Sequence, residues 1–166
     1  MRVAAIQTTA GADRAANLTA AGALVEEAAR SGAELVVLPE YFSLAGSPAV
    51  LRGGAEPLEG PTTAWACGLA RRHGIGLVAG SFPERPAPGA DTDGRVFNTS
   101  CLIGTAGSVD AVYRKIHLFD AVIEGTALRE SATVAPGTSP CTHPVGGGDE
   151  APVLGLSICY DLRFPE

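Results

Sequence analysis

Two rhythms of apolar and polar residues run along the chain: short apolar stretches, and longer segments in which apolar positions recur every three or four residues. The opening stretch RVAAIQ (2–7) predicts a strand. Asp13 then offers a side-chain oxygen to the first turn of a helix whose Leu18, Ala21, Val25 and Ala28 share a face, with its end near Gly32. ELVVLP (34–39) is apolar almost without alternation, as in a strand covered on both faces. A second helix starts at Pro61, carries Arg71, Arg72 and His73 in its last turn and stops at Gly74. IGLVAGS (75–81) reads as the next strand, so strands and helices alternate and the class is α/β.

The pattern changes after residue 81. FPERPAPGADTDGR (82–95) is rich in Pro, Gly and Asp and reads as a surface loop, and its DTDG lacks the further ligand positions of a calcium loop. RVFNTSCLIG (95–104) and VDAVYRK (109–115) flank the turn TAGS and predict a hairpin. A second hairpin is predicted from PCTHPV (140–145), the turn GGGDE (146–150) and APVLGLSIC (151–159). The charged turn that follows looks like the opening of a helix.

Composition narrows the class. With 166 residues and 46 % hydrophobic content the chain has enough material for one domain, 1–166, with a real core. The net charge is −6, and the 12 basic residues form no cluster beyond the pairs Arg71–Arg72 and Arg114–Lys115, so no nucleic-acid partner is expected. The N-terminal apolar stretch ends at Gln7, too short for a secretory signal, and no apolar run approaches a membrane span, so a cytoplasmic location and no membrane partner are expected. The four cysteines contain no C-x-x-C pair, which predicts free thiols and no bound metal.

In an α/β sheet, chemistry collects beyond the carboxyl ends of the strands, where side chains from separate strands converge. Three reactive residues follow strand-like runs: Glu40 after ELVVLP, Lys115 after VDAVYR and Cys159 after VLGLSI. A thiol, a carboxylate and an ammonium suffice for acyl transfer, as nucleophile, proton acceptor and oxyanion stabiliser. Taken singly, each has an ordinary structural reading. A cysteine closing an apolar run is a small buried hydrophobe, a glutamate after Leu-Pro is a solvated turn residue, and a lysine ending an edge strand protects that edge.

The words around the three residues alter that balance. VVLPEYF, YRKIHLFD and GLSICYDLRFPE, in this order, resemble the signature segments of the nitrilase superfamily of carbon–nitrogen hydrolases, and RVAAIQ and GAELVVLPE are similar as well. The resemblance implies an αββα sandwich, no cofactor, and a triad of Glu40 as general base, Lys115 as oxyanion-stabilising cation and Cys159 as nucleophile. It places a second, substrate-positioning glutamate on Glu130, within LRESATVAPG, with Glu124 in the same loop-like stretch as the competitor. The backbone N–H of Tyr160 becomes the second oxyanion donor. It also implies a comparable length of chain beyond Glu166, so that this sequence corresponds to an N-terminal portion, and a homo-oligomer at full length.

CYDLRFPE and KIHLFD resemble the branch of omega-amidases and deaminated-glutathione amidases, which implies a small amide of a carboxylic acid as substrate. Carbamoylase and nitrilase chemistry, and a catalytically silent fragment, are the alternatives. Arg163 is a candidate anchor for the substrate carboxylate, or else a partner of Asp161 or Glu166. His117 reads as a packed, hydrogen-bonded histidine rather than a catalytic one.

Overall fold

The computed structural model describes residues 1–146 and 151–165. The predicted first unit is present: β1 (Val3–Ala5), α1 (Arg14–Arg30) and β2 (Leu35–Val37), with β1 and β2 parallel and Val3 opposite Leu35. Asp13 caps α1, its carboxylate accepting from the N–H of Ala16 at 3.1 Å. A short helix α2 (Pro48–Gly53), capped by Ser47, precedes α3 (Pro61–His73). α3 ends as its sequence predicts, with Gly74 in the left-handed region at φ 64°.

β3 (Gly76–Val78) continues the parallel set, and from there the sheet turns antiparallel. β4 (Phe82–Glu84) and β5 (Phe97–Ile103) pair with Phe82 opposite Thr99, and β6 (Val109–Arg114) pairs on the other side of β5. The strand order is β1-β2-β3-β5-β4, with β6 attached to β5. β4 corrects the sequence reading, in which residues 82–95 formed one loop. Pro83 suggested a break, yet its carbonyl accepts from the N–H of Glu56 at 3.2 Å, and Phe82 and Glu84 are buried.

A second departure lies between residues 120 and 129, read as loop-like. Here β7 (Asp120–Ile123) and β8 (Thr126–Arg129) form a hairpin whose turn residues, Glu124 and Gly125, both have positive φ. β9 (Cys141–Pro144) and β10 (Val153–Leu156) form the predicted last hairpin, and most of its turn, 147–150, lies outside the described residues. The helix expected to open after Cys159 is a 3-10 turn, Cys159–Arg163.

Side-chain alternation along the central strands sorts the core into two faces. Val36, Leu77, Cys101 and Ile103 point to α1 and α3, against Val25, Ala66 and Leu69. Leu35, Val78, Leu102 and Tyr113 point to the other face, against Leu154, Leu156 and Ile158 of the β9–β10 side. The result is a helix layer, a six-stranded sheet and a second sheet stacked upon it, which explains why ELVVLP is apolar on both faces. No helix among the described residues is long and apolar enough to cross a membrane.

One glycine is decisive for placing the site. Gly80, between β3 and β4, has φ 31°, and a Cβ there would collide with the carbonyl oxygens of Leu38 and Pro39, directly before Glu40. Gly80→Ala is expected to destabilise the protein by about 1–3 kcal/mol, the scale of a forced backbone strain. Gly68→Ala, inside α3 with nothing within 4 Å of the added carbon, is expected to stabilise it by about 0.5–1 kcal/mol. Denaturant titration of the two variants checks the signs, and a reversed order would refute this account of the β3–β4 bend.

Candidate active site

The three residues singled out at strand ends do meet. The turn after β2 carries Glu40, followed by Tyr41 at φ 52°, whose N–H donates to the Ser81 hydroxyl at 2.9 Å. Lys115 directly follows β6 and extends its ladder, donating its N–H to the Asn98 carbonyl at 2.9 Å. The lysine side chain is only 2 % exposed, and its Nζ lies 3.0 Å from Glu40 Oε1 and 2.9 Å from Glu130 Oε2. Burial pulls the Lys115 pKa down, but the bonds from Glu130 and Glu40 outweigh it and raise it above the ordinary lysine value.

Glu130 is held by the base of the β7–β8 hairpin. Its Oε2 accepts from the N–H of Phe119 at 2.7 Å, while its own N–H donates to the Phe119 carbonyl. The competitor Glu124 sits at the exposed hairpin tip, at the other end of the two strands. Glu130, rather than Glu124, therefore joins Lys115.

Cys159 opens the 3-10 turn with φ 49° and is exposed. Of the four non-glycine residues with positive φ among the described residues, Asp93 and Glu124 lie in surface turns, whereas Tyr41 and Cys159 flank this cluster. Backbone strain at that pair is the kind that persists where the surroundings over-determine it. Although the residue as a whole is exposed, partial desolvation raises the Cys159 thiol above its ordinary value, the Glu40 carboxylate adds to the rise, and Lys115 opposes it. The thiol is thus protonated at neutral pH and beside a carboxylate. The N–H of Tyr160 lies in the first turn of the 3-10 element, where an intrahelical acceptor is lacking.

Sequence reasoning missed the residues that tie these parts together. Asp161 takes four donors: the N–H of Ile158 at 2.9 Å, the Tyr113 hydroxyl at 2.7 Å, and the N–H and Nδ1 of His117, each at 2.9 Å. Burial alone would raise its carboxyl, and these bonds override burial and hold it below the usual range. The Asp161–Arg163 pair considered from sequence is not what holds the turn, since Asp161 is engaged by His117, Tyr113 and Ile158 while Arg163 is exposed. His117 is hydrogen-bonded and stacked on Phe164, with ring centroids 3.9 Å apart, as expected of a packed histidine.

Asn98 and Tyr41 were missed as well. Asn98 is fully buried in β5 and donates Nδ2 to Glu40 Oε1 at 2.9 Å. The available signal was an asparagine within a β-branched and aromatic strand, where it is disfavoured. The buried phenol of Tyr41 has its pKa raised by burial and by the charges of Glu130 and Glu40.

With this geometry in view, the family can be stated. The carbon–nitrogen hydrolase family model matches residues 2–166. The chain belongs to the carbon–nitrogen hydrolase family. It is 43 % identical to a hydrolase of Mycobacterium tuberculosis over 99 % of this chain and 54 % of that protein. It is 40 % identical to the deaminated glutathione amidase of Bos taurus, covering 99 % of this chain and 49 % of the relative. It is 38 % identical to an omega-amidase of Mus musculus, covering 99 % and 56 %. The chain spans about half the length of the curated relatives it matches.

Among solved structures, the C. elegans NitFhit protein superposes with TM-score 0.78 at 32 % identity, covering 98 % of this chain and 39 % of that one. An amidase from Nesterenkonia sp. AN1, solved with acrylamide joined to its active-site cysteine by Michael addition, gives TM-score 0.79 at 27 % identity, covering 99 % and 59 %. The fold is the α/β sandwich of the nitrilase superfamily.

Thiol chemistry tests the electrostatics directly. Brief alkylation and peptide mapping should modify Cys159 first and Cys101 last, because Cys101 is fully buried and its pKa is pushed up to about 12. Glu40→Gln removes a charge that opposes the thiolate and leaves Lys115 favouring it, so the pH midpoint of Cys159 alkylation should fall. Cys159 labelling no faster than Cys67 and Cys141, or an unmoved midpoint, would contradict the arrangement.

Proposed function

We propose that the protein carrying this chain hydrolyses the amide of a small carboxylic acid and releases ammonia. The observation that carries the reading is the buried Lys115 ammonium, held by Glu40 and Glu130 beside a protonated Cys159 thiol. A neutral thiol is a weak nucleophile and needs a base at the moment of attack. Glu40 takes the S–H proton as the sulfur–carbon bond forms, and the amide oxygen becomes an oxyanion that accepts from Lys115 Nζ and the Tyr160 N–H. Glu40 then returns the proton to the departing nitrogen, ammonia leaves and a thioester remains. Water, giving its proton to Glu40, attacks the thioester, and collapse releases the acid while the proton returns to sulfur.

Glu130 serves this sequence by holding the lysine and by presenting a carboxylate edge to the substrate amide. The relatives named omega-amidase and deaminated glutathione amidase, and the resemblance of CYDLRFPE to that branch, support an amide of a small dicarboxylic or 2-oxo acid. No step calls for a cofactor.

Two measurements test the proposal. Glu40→Gln and Lys115→Met should each lower kcat by about 10²–10⁴, the range for a general acid–base group. Retention of near-parental turnover would remove that residue from the triad. Ammonia release should be faster from the amide of a small dicarboxylic or 2-oxo acid than from a neutral aliphatic amide, a nitrile or an N-carbamoyl amino acid. Preference for the nitrile or the carbamoyl compound would replace the amidase reading with the other chemistry of the same superfamily.

A further inference from the structure

One side chain touches the triad without a place in the proton transfers just described. Asn98 lies in β5, fully buried, and contacts two members of the triad at once. Its carbonyl accepts from the Lys115 N–H at 2.9 Å, and its Nδ2 donates to Glu40 Oε1 at 2.9 Å. The same Oε1 receives Lys115 Nζ at 3.0 Å. A carboxylate oxygen has about two in-plane acceptor positions, so Oε1 is saturated by these two donors. Among the described residues no nitrogen or hydroxyl donor reaches Oε2.

From this asymmetry, and resting on the proposed role of Glu40 as the base, we infer that Asn98 is a positioning residue that fixes the plane of the Glu40 carboxylate, so that the oxygen left free by Asn98 and Lys115 exchanges protons with Cys159. Without Asn98 only Lys115 Nζ, on a flexible stem, would hold this oxygen, and the carboxylate plane could swing with the ammonium following it. With Asn98 in place, a partial rotation breaks the bond to a donor fixed in β5, and a half-turn merely exchanges two equivalent oxygens, so the same orientation is kept. Asn98 therefore removes a rotational freedom from the base before the substrate arrives, the kind of preorganisation that raises the rate of a proton transfer.

A second observation supports the assignment. Among the described residues, the buried Oδ1 atom of Asn98 has no hydrogen-bond partner. A buried amide oxygen without a donor lowers stability, and asparagine is a poor strand residue, so leucine would suit this position better on structural grounds alone. What asparagine supplies and leucine does not is the donor to Glu40. The groups facing that donor are Glu40 itself, with Lys115, Glu130 and Cys159 around it.

The test uses two variants, assayed by ammonia release from the preferred amide. Asn98→Leu should retain or raise Tm while kcat falls about 10- to 100-fold, the worth of one hydrogen bond to a charged group, with KM changed less than about two-fold. Asn98→Asp keeps the shape but, when ionised, places an acceptor against Oε1. Once protonated it donates again, so its turnover relative to the parent protein should recover as the pH is lowered, whereas the Asn98→Leu deficit should not. A variant Asn98→Asp with the parental pH profile, or a stable Asn98→Leu with parental kcat, overturns the inference. If Asn98→Leu fails to fold, the pH profile of the isosteric Asn98→Asp decides alone. Glu40→Gln separates the layers: if that variant remains active, the reading of Glu40 as base fails, whereas its inactivity beside a fully active Asn98→Leu sinks only the role of Asn98.

Discussion

The arrangement depends on burying one ammonium. Lys115 is 2 % exposed, and a charge removed from water to that degree is tolerated only when opposite charges and hydrogen bonds replace its hydration. Glu40 and Glu130 supply them, and they come from two different elements, the turn after β2 and the base of the β7–β8 hairpin. The strand pairing of β5 with β6 and the return of the hairpin onto Phe119 are thus conditions for Lys115 to stay charged in place. Losing either carboxylate would leave the lysine buried with only one of its two counter-charges.

The same cluster explains why the thiol is not simply turned into a thiolate. One ammonium shared between two carboxylates leaves little positive potential for a third anion, and the Cys159 thiol is raised rather than lowered. For the proposed chemistry the thiol then needs a proton acceptor beside it and a fixed place. Asp161 provides the second requirement: through Ile158 it holds the residue before the cysteine, and through Tyr113 and His117 it holds the residues two places to either side of Lys115. A single carboxylate thereby sets the Cys159 turn against the Lys115 segment.

How far the sequence revealed this follows from the range of the forces involved. α1 and α3 were legible because caps and stops are local: Asp13 bonds to Ala16, and Gly74 takes the left-handed backbone at the end of its own helix. β2 was legible because burial on both faces leaves an apolar run. β4 and the β7–β8 hairpin were not, since Pro83 and the Glu124–Gly125 turn carry loop signals that tertiary pairing overrides. Glu40, Lys115 and Cys159 stood out as reactive side chains at strand ends. Asp161 and Asn98 did not, because the side-chain bonds that matter most reach far along the chain, from Asp161 to His117 and Tyr113 and from Asn98 to Glu40.

The placement of strain completes the physical picture. Tyr41, directly after Glu40, and Cys159 adopt left-handed backbone without being glycine. Each conformation costs free energy, and a hydrogen bond fixes the backbone at or beside it: the distant Ser81 hydroxyl accepts from the Tyr41 N–H, and Asp161, in the same turn as Cys159, accepts from the Ile158 N–H. The core on both faces of the sheet bears that cost. Buried Leu35, Val78 and Leu102 pack with Leu156 and Ile158, so the strand leading to Cys159 is anchored on the same sheet that carries Glu40 and Lys115. Hydrophobic stacking of one sheet on the other thus sets the spacing between the Cys159 turn and the Glu40 carboxylate.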